Sequence, residues 1–193
     1  GRIEHDKGID VLIQAMSEID GYLHIVGEGA LKTEMRKLVD RLGLSHKVSW
    51  YPWLNATELA DFIAQMSVVV LPSRYESFGN AMAETLAVGT ALVTCRTGSI
   101  PEVVGDYAHL AEPGSVESLI REIRNVQHVK PEQLDLQSGR QWIRSRYTWD
   151  GVAANFEAIN DVKYNALDPY ARTRSVYYQQ RNGLLGDQLR GVG

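Results

Sequence analysis

The sequence predicts an α/β protein built on a doubly wound parallel sheet, and three observations point there. Short apolar runs of strand length alternate along the chain with segments whose apolar residues recur at helical spacing, the pattern of successive βαβ units. One run, Val68-Val69-Val70-Leu71-Pro72, is β-branched and lacks polar alternation, as expected of a buried parallel strand. That run leads through a polar turn and a Phe78-Gly79 step into a helix-like segment, Asn80 to Val88. Open α/β sheets bind ligands at such strand, turn and helix junctions, outside the carboxyl ends of their strands.

In chain order, Gly1 to Gly8 is a polar loop, and Ile9, Val11, Leu12, Ala15, Met16 and Ile19 predict an amphipathic helix to about Glu18. Tyr22 to Val26 is a strand and Gly27-Glu28-Gly29 a turn. Leu31, Met35, Leu38 and Leu42 mark a second helix, with Gly43 as its C′ residue. Val48 to Tyr51 is a strand, and Asn55 or Thr57 caps a third helix carrying Leu59, Phe62, Ile63 and Met66. Beyond the central strand and helix come a strand from Ala91 to Cys95, a short helix opened by Ile100-Pro101, and a strand from Ala108 to Ala111. Helices over Val116 to Val126 and Pro131 to Tyr147 complete a first unit, residues 1–147. In the remainder, 148–193, Trp149, Val152, Ala153, Phe156 and Ile159 give one more helix to Lys163. The stretch from Asp168 to Gly193 has no motif and is expected to be a partly ordered tail.

Composition narrows the function. Hydrophobic content of 44% and charged content of 23% are those of a globular protein. A net charge of -4 argues against a general nucleic-acid surface, so any recognition of anions must be local. The single cysteine, Cys95, excludes an internal disulfide framework and ends an apolar run, which favours a buried structural thiol. No apolar run approaches a membrane span. The chain is expected in the cytoplasm, and a place at the membrane surface is compatible with it.

The junction after Pro72 has the makings of an anion site. The first N–H groups of a helix lack internal partners and its dipole favours negative charge there, while Gly79 lets a ligand approach the backbone. Here the residues resemble a known family. ESFGNAMAETLAVGTALV (Glu76 to Val93), followed by TGSIPEVV, is similar to the donor-binding signature of retaining glycosyltransferase family 4, the group 1 glycosyltransferases of the two-lobed GT-B fold. Gly1-Arg2, Lys7-Gly8, Asp10 and Leu12-Ile13 resemble the start of the same Rossmann-like lobe, and Val26-Gly27-Glu28-Gly29 and Leu71-Pro72-Ser73 fall in the family's order. The resemblance runs from Gly1 to about Trp149 and covers the carboxyl-terminal lobe only.

The resemblance implies a metal-independent enzyme that moves a sugar from a nucleotide-diphosphate sugar, such as GDP-mannose or UDP-glucose, to a hydroxyl of a sugar, lipid or small molecule. Such reactions build polysaccharides, glycolipids and glycoconjugates, and a membrane-associated acceptor would fit. The donor is a substrate, and no cofactor is expected. By the same resemblance Glu76 contacts the donor sugar's hydroxyls and Glu84 accepts hydrogen bonds from the ribose. The backbone of Phe78, Gly79, Asn80 and Ala81 lies against diphosphate and sugar, and Gly27 lies near the cleft. The loop Trp50 to Asn55, with Leu54, frames the nucleobase, where Trp53 either stacks on the base or is a core residue. Arg2 and Lys7 become the diphosphate clamp. Cations there stabilise the charge that develops as the nucleoside diphosphate leaves, and no Asp-x-Asp pair exists in the chain to hold a metal in their stead. The proposed chemistry is front-face attack, with the departing phosphate helping to take the acceptor proton. The amino-terminal acceptor lobe is absent, as is the apolar strand that the family places before Gly-Arg, a central strand in a Rossmann-like order. Truncation is the expectation, and the isolated chain is expected to be inactive. The last helix of the family crosses back to the amino-terminal lobe.

Each residue has a plainer reading. Two glutamates eight apart mean little among 24 acidic residues, and Arg2 and Lys7 taken singly are ordinary surface cations. The five histidines have no metal spacing and no triad partner. His24 and His109 read as satisfied beside strands, and His5 as an exposed loop residue. Two other functions compete. One is a module that binds a nucleotide or phosphosugar without turnover. The other is a nucleotide-dependent oxidoreductase, which Gly27-Glu28-Gly29 weakens because the third glycine of a dinucleotide fingerprint would fall at Lys32.

Overall fold

The computed structural model describes residues 1–130 and 133–148. The helix expected from Trp149 and the tail beyond it lie outside the described residues. Gly1–Tyr147 packs as one compact unit. Among the described residues no helix is long and apolar enough to cross a membrane.

Strands and helices alternate as expected, and every strand pairing is parallel. Strand β1 (Leu23–Val26) pairs with β2 (Val48–Tyr51), Leu23 opposite Val48. Strands β3 (Val69–Leu71), β4 (Leu92–Cys95) and β5 (His109–Ala111) form a second block in that order. The expectation of one continuous sheet is thus met in two pieces. Between β1 and β3 runs a seam, a cavity of about 280 Å³ lined by both strands. It falls where the sequence leads one to expect a central strand entering Gly1-Arg2. At its carboxyl end the Gly1 nitrogen donates to Val26 O at 2.8 Å.

The period of two along β4 shows why helices cover both faces. Val93 and Cys95 point into a core shared with α1 (Ile9–Ala15), α2 (Lys32–Arg41) and α6 (Val116–His128). Leu92 points the other way, into a cluster with α4 (Asn80–Val88), α5 (Ile100–Val104) and α7 (Leu136–Tyr147). The remaining helix, α3 (Ala56–Ala64), starts at Asn55, whose side chain accepts from the Glu58 N–H while the Glu58 carboxylate accepts from the Asn55 N–H. This capping box decides between the two caps the sequence offered.

Strands β1, β4 and β5 each start one residue later than expected and α3 ends at Ala64, before Met66, while three other helix boundaries also move. The first helix ends at Ala15, not Glu18, because Ser17 and Glu18 donate to Gln14 O and Ala15 O and tighten the chain into three-residue turns. The last described helix begins at Leu136, not Pro131, where Asp135 Oδ1 accepts from the Ser138 N–H at 3.2 Å. Helix α6 runs two residues past Val126, to His128. The β3 run, expected to be buried, is half-buried, because β4 covers one of its edges and the seam opens on the other.

Candidate functional site

Three loops meet at the carboxyl ends of β1, β3 and β4: Gly1 to Gly8, Pro72 to Gly79 and Arg96 to Ser99. Backbone packs directly on backbone. Gly8 (φ 65°) leaves no room for a side chain because the Pro72 carbonyl fills the space, and Gly98 (φ 52°) meets the Glu76 carbonyl in the same way. Such positions admit only glycine. Two hydroxyls pin the arrangement from below. Thr97 Oγ1 donates to Arg74 O at 3.1 Å, and Ser99 Oγ donates to Ser77 O.

This packing brings Lys7 and Glu76 together. Lys7 Nζ lies 2.7 Å from Glu76 Oε2 and 3.5 Å from Asp6 Oδ2. Both side chains of the closer pair are about four-fifths buried, at 22% and 20% exposure. Burial works against the Lys7 charge, but the Glu76 and Asp6 carboxylates outweigh it and raise the ammonium's pKa. Lys7 is therefore a fixed cation. The amino end of α4 adds a second positive element. Gly79 (φ 87°) turns the chain there, and its carbonyl accepts from Met82 and Ala83, so the N–H groups of Asn80 and Ala81 precede the first intrahelical donors.

Arg2, Lys7, Glu76, Ala81 and Glu84 all border one cleft, continuous with the seam. Glu84 is exposed. Arg2 differs from Lys7. Its guanidinium sits on Glu4 at 3.0 Å with 61% of the side chain exposed, so it stands at the rim and not beside Glu76. The Phe78 ring turns away from the cleft onto Tyr147, centroids 5.3 Å apart, leaving only its backbone near the helix start. Gly27 is buried (φ 135°), and a side chain there would run into the Gly1 carbonyl, so its role is to let the first loop close on β1. Leu54 lies half-buried in the loop before α3, beyond the residues lining this cleft. Trp53 is 64% exposed, which removes the core reading of that ring.

The histidines and the cysteine behave as the sequence suggests. His24 Nδ1 meets Tyr51 Oη at 3.2 Å, His109 lies 3.5 Å from Glu122, and His5 is exposed. Cys95 is buried, and burial pushes its thiol up to about 11. Sequence reasoning missed Arg74 and Gly98, the residues that hold the loops together. The glycine in TGS was a signal for the second. For Arg74 the only signal was an arginine in a loop otherwise short of charge before Glu76.

The family described as "Glycosyl transferases group 1" matches residues 1–140. Among curated relatives, the D-inositol 3-phosphate glycosyltransferase of Streptomyces bingchenggensis is 33% identical over 193 residues, covering 92% of this chain and 42% of its own. Among solved structures, the sucrose-phosphate synthase of Thermosynechococcus elongatus superposes with a TM-score of 0.73 at 25% identity, over 86% of this chain and 44% of that one. Anabaena HepE, solved in complex with UDP, also gives 0.73, at 20% identity, over 84% and 47%. The chain thus spans less than half the length of these proteins.

Proposed function

Because the chain belongs to the group 1 glycosyl transferases, we propose that it holds the donor in a glycosyl transfer, a nucleotide-diphosphate sugar whose diphosphate lies between Lys7 and the amino end of α4. The observation that carries this reading is the Lys7 ammonium, fixed 2.7 Å from Glu76 in the cleft that Ala81 and Glu84 also border. Of its three N–H donors, one goes to Glu76, and with Asp6 at 3.5 Å the ammonium keeps donor capacity for a phosphate oxygen. As the sugar–phosphate bond breaks, charge grows on the departing diphosphate. A preset cation and helix amides stabilise that charge without having to reorganise. Arg2, at the rim on a long stem, adds a second cation, and neither cation requires a metal. Glu76, held by Lys7, presents carboxylate oxygens to sugar hydroxyls. Glu84, further along the same helix, serves the ribose. The Phe78, Gly79 and Asn80 backbone lines the diphosphate path, and Leu54 lies toward the nucleobase. The UDP carried by a protein of like fold supports a nucleotide donor. Retention follows if the departing phosphate itself takes the acceptor proton on the face it leaves. The acceptor would be bound by the part of the protein outside this chain.

Calorimetry tests the reading. Lys7→Ala is expected to weaken a nucleoside diphosphate by ~1.5–3 kcal/mol, about ten- to a hundredfold, and to leave the bare nucleoside nearly unchanged. UDP with uridine and GDP with guanosine are the pairs to use. Equal losses for diphosphate and nucleoside would return Lys7 to an ordinary surface cation.

A further inference from the structure

One residue outside the cleft ties the loops together more firmly than any within it. Arg74 follows β3 and does not line the cavity. Its Nη1 and Nη2 donate to Asp10 Oδ1 at 2.8 Å and Oδ2 at 2.6 Å, two parallel bonds onto the first turn of α1. Nη1 also donates to His5 O at 2.8 Å, and the Arg74 N–H donates to Asp6 O at 2.8 Å. Four hydrogen bonds from one residue of the Glu76 loop thus land on the segment from His5 to Asp10, two on the turn that carries Lys7 and two just beyond it. On its other side Arg74 O accepts from Thr97 Oγ1. Lys7 stands between the acceptors His5, Asp6 and Asp10, and Glu76 is two residues beyond Arg74. The splice therefore sets the distance between the two loops at the point where Lys7 reaches across.

We infer that Arg74 is a positioning residue. By clamping Asp10, His5 and Asp6 it fixes the Lys7 ammonium in register with the amino end of α4, and so gives the site its preference for a diphosphate over a bare nucleoside. This rests on the reading of the cleft as a diphosphate site. The guanidinium lies outside the residues that line the cleft and directs Nη1 and Nη2 to Asp10 and His5. The fork geometry matters. A lysine is a point charge that cannot bridge both oxygens of Asp10 while holding His5 O. The obvious plainer role, a tie that only stabilises the fold, would alter melting without altering which ligand binds better.

The experiment compares the ratio of UDP to uridine affinity, and of GDP to guanosine affinity, in the full chain and in Arg74→Lys, Arg74→Ala and Lys7→Ala. Arg74→Lys keeps charge and stem and is the folded reference. It is expected to lower the diphosphate preference by about ten- to a hundredfold, the scale on which a displacement of an ångström acts. In a Lys7→Ala background Arg74→Lys is expected to have no further effect on the ratio, because it acts through Lys7. A folded Arg74→Lys or Arg74→Ala that keeps the preference of the unaltered chain overturns the inference. So does an equal additional loss in the Lys7→Ala background. If the unaltered chain itself binds diphosphate no better than nucleoside, the diphosphate reading of the cleft fails first and takes this inference with it. The unaltered chain therefore tells the two failures apart.

Discussion

Strands β3 and β4 lie side by side and are made of similar residues, yet they serve different ends. Strand β4, Leu-Val-Thr-Cys, is buried at every position, with β3 on one edge, β5 on the other and a helical layer on each face. Strand β3, Val-Val-Leu, is the more apolar of the two and is buried at none to the same degree. Its second edge faces the seam. Burial is therefore a property of neighbours, and an apolar run alone does not say how many neighbours it has. The difference extends into the loops. The loop after β4 supplies supports, Thr97, Gly98 and Ser99, whereas the loop after β3 supplies Arg74 and Glu76. The enclosed strand anchors the fold and the half-open one delivers the site.

The sharpest way to break this comparison is to make one substitution in both strands. Leu92 is 1% exposed and Leu71 half-buried. Leu92→Ala is expected to cost ~2–5 kcal/mol in urea unfolding, and Leu71→Ala less than about half as much, because a partly exposed leucine gives up less on truncation. Equal losses would mean that the seam is as tightly packed as the interior.

A smaller effect tests how the strands are joined. Thr94, fully buried, donates its hydroxyl to Leu71 O at 2.9 Å across the pair. Thr94→Val keeps the shape and removes the donor. The expected cost is ~1 kcal/mol, with the diphosphate-to-nucleoside ratio unchanged. A shift in that ratio would show that β4 reaches the site more directly than its geometry indicates.

The smallest expected effect is in pH. The Arg74 guanidinium bonded to Asp10 holds its carboxyl below the usual carboxylate value, outweighing burial. A depressed folded pKa contributes stability that is complete above the unfolded value, about 3.9, and is lost as pH falls through the lower folded value. The stability difference between the unaltered chain and Asp10→Asn should therefore hold steady across neutral pH and shrink below about pH 4. Both side chains are a quarter or more exposed, so the difference should stay under about 1 kcal/mol. A difference that persists in acid would assign it to packing rather than to charge.

The legible part of this molecule is the part built on local repetition. Apolar spacing located the strands, Asn55 and Gly43 marked a helix start and a helix end, and the Phe78-Gly79 step marked the start of α4. The string from Glu76 to Glu84 and the Lys7-Gly8 step, read together, led to residues that the fold sets around one cleft. The features that escaped are long-range and polar. Nothing in the order of residues says that Arg74 will fork onto Asp10, 64 positions away. Nor does it say that Arg2 will rest on Glu4 while Lys7 crosses to Glu76, since both are cations in one loop and only the backbone path separates them. Trp53 left two readings open for a related reason. A tryptophan beside a strand is often enclosed, but this one stands in the loop between β2 and the capping box at Asn55 and is exposed.

The seam also bears on how this protein behaves in a tube. Among the described residues β1 pairs only with β2 and β3 only with β4, so each carries a row of amide and carbonyl groups along an edge that no described strand covers. Edges of this kind are templates for pairing with another chain. Protein concentration then becomes a reagent. Where such edges meet, a more crowded solution favours their pairing, and an isotherm recorded at high concentration would then contain a protein–protein equilibrium beneath the ligand's. Titrations are best run with the protein dilute and the nucleotide in the syringe, and repeated at a second dilution before any constant is compared between variants.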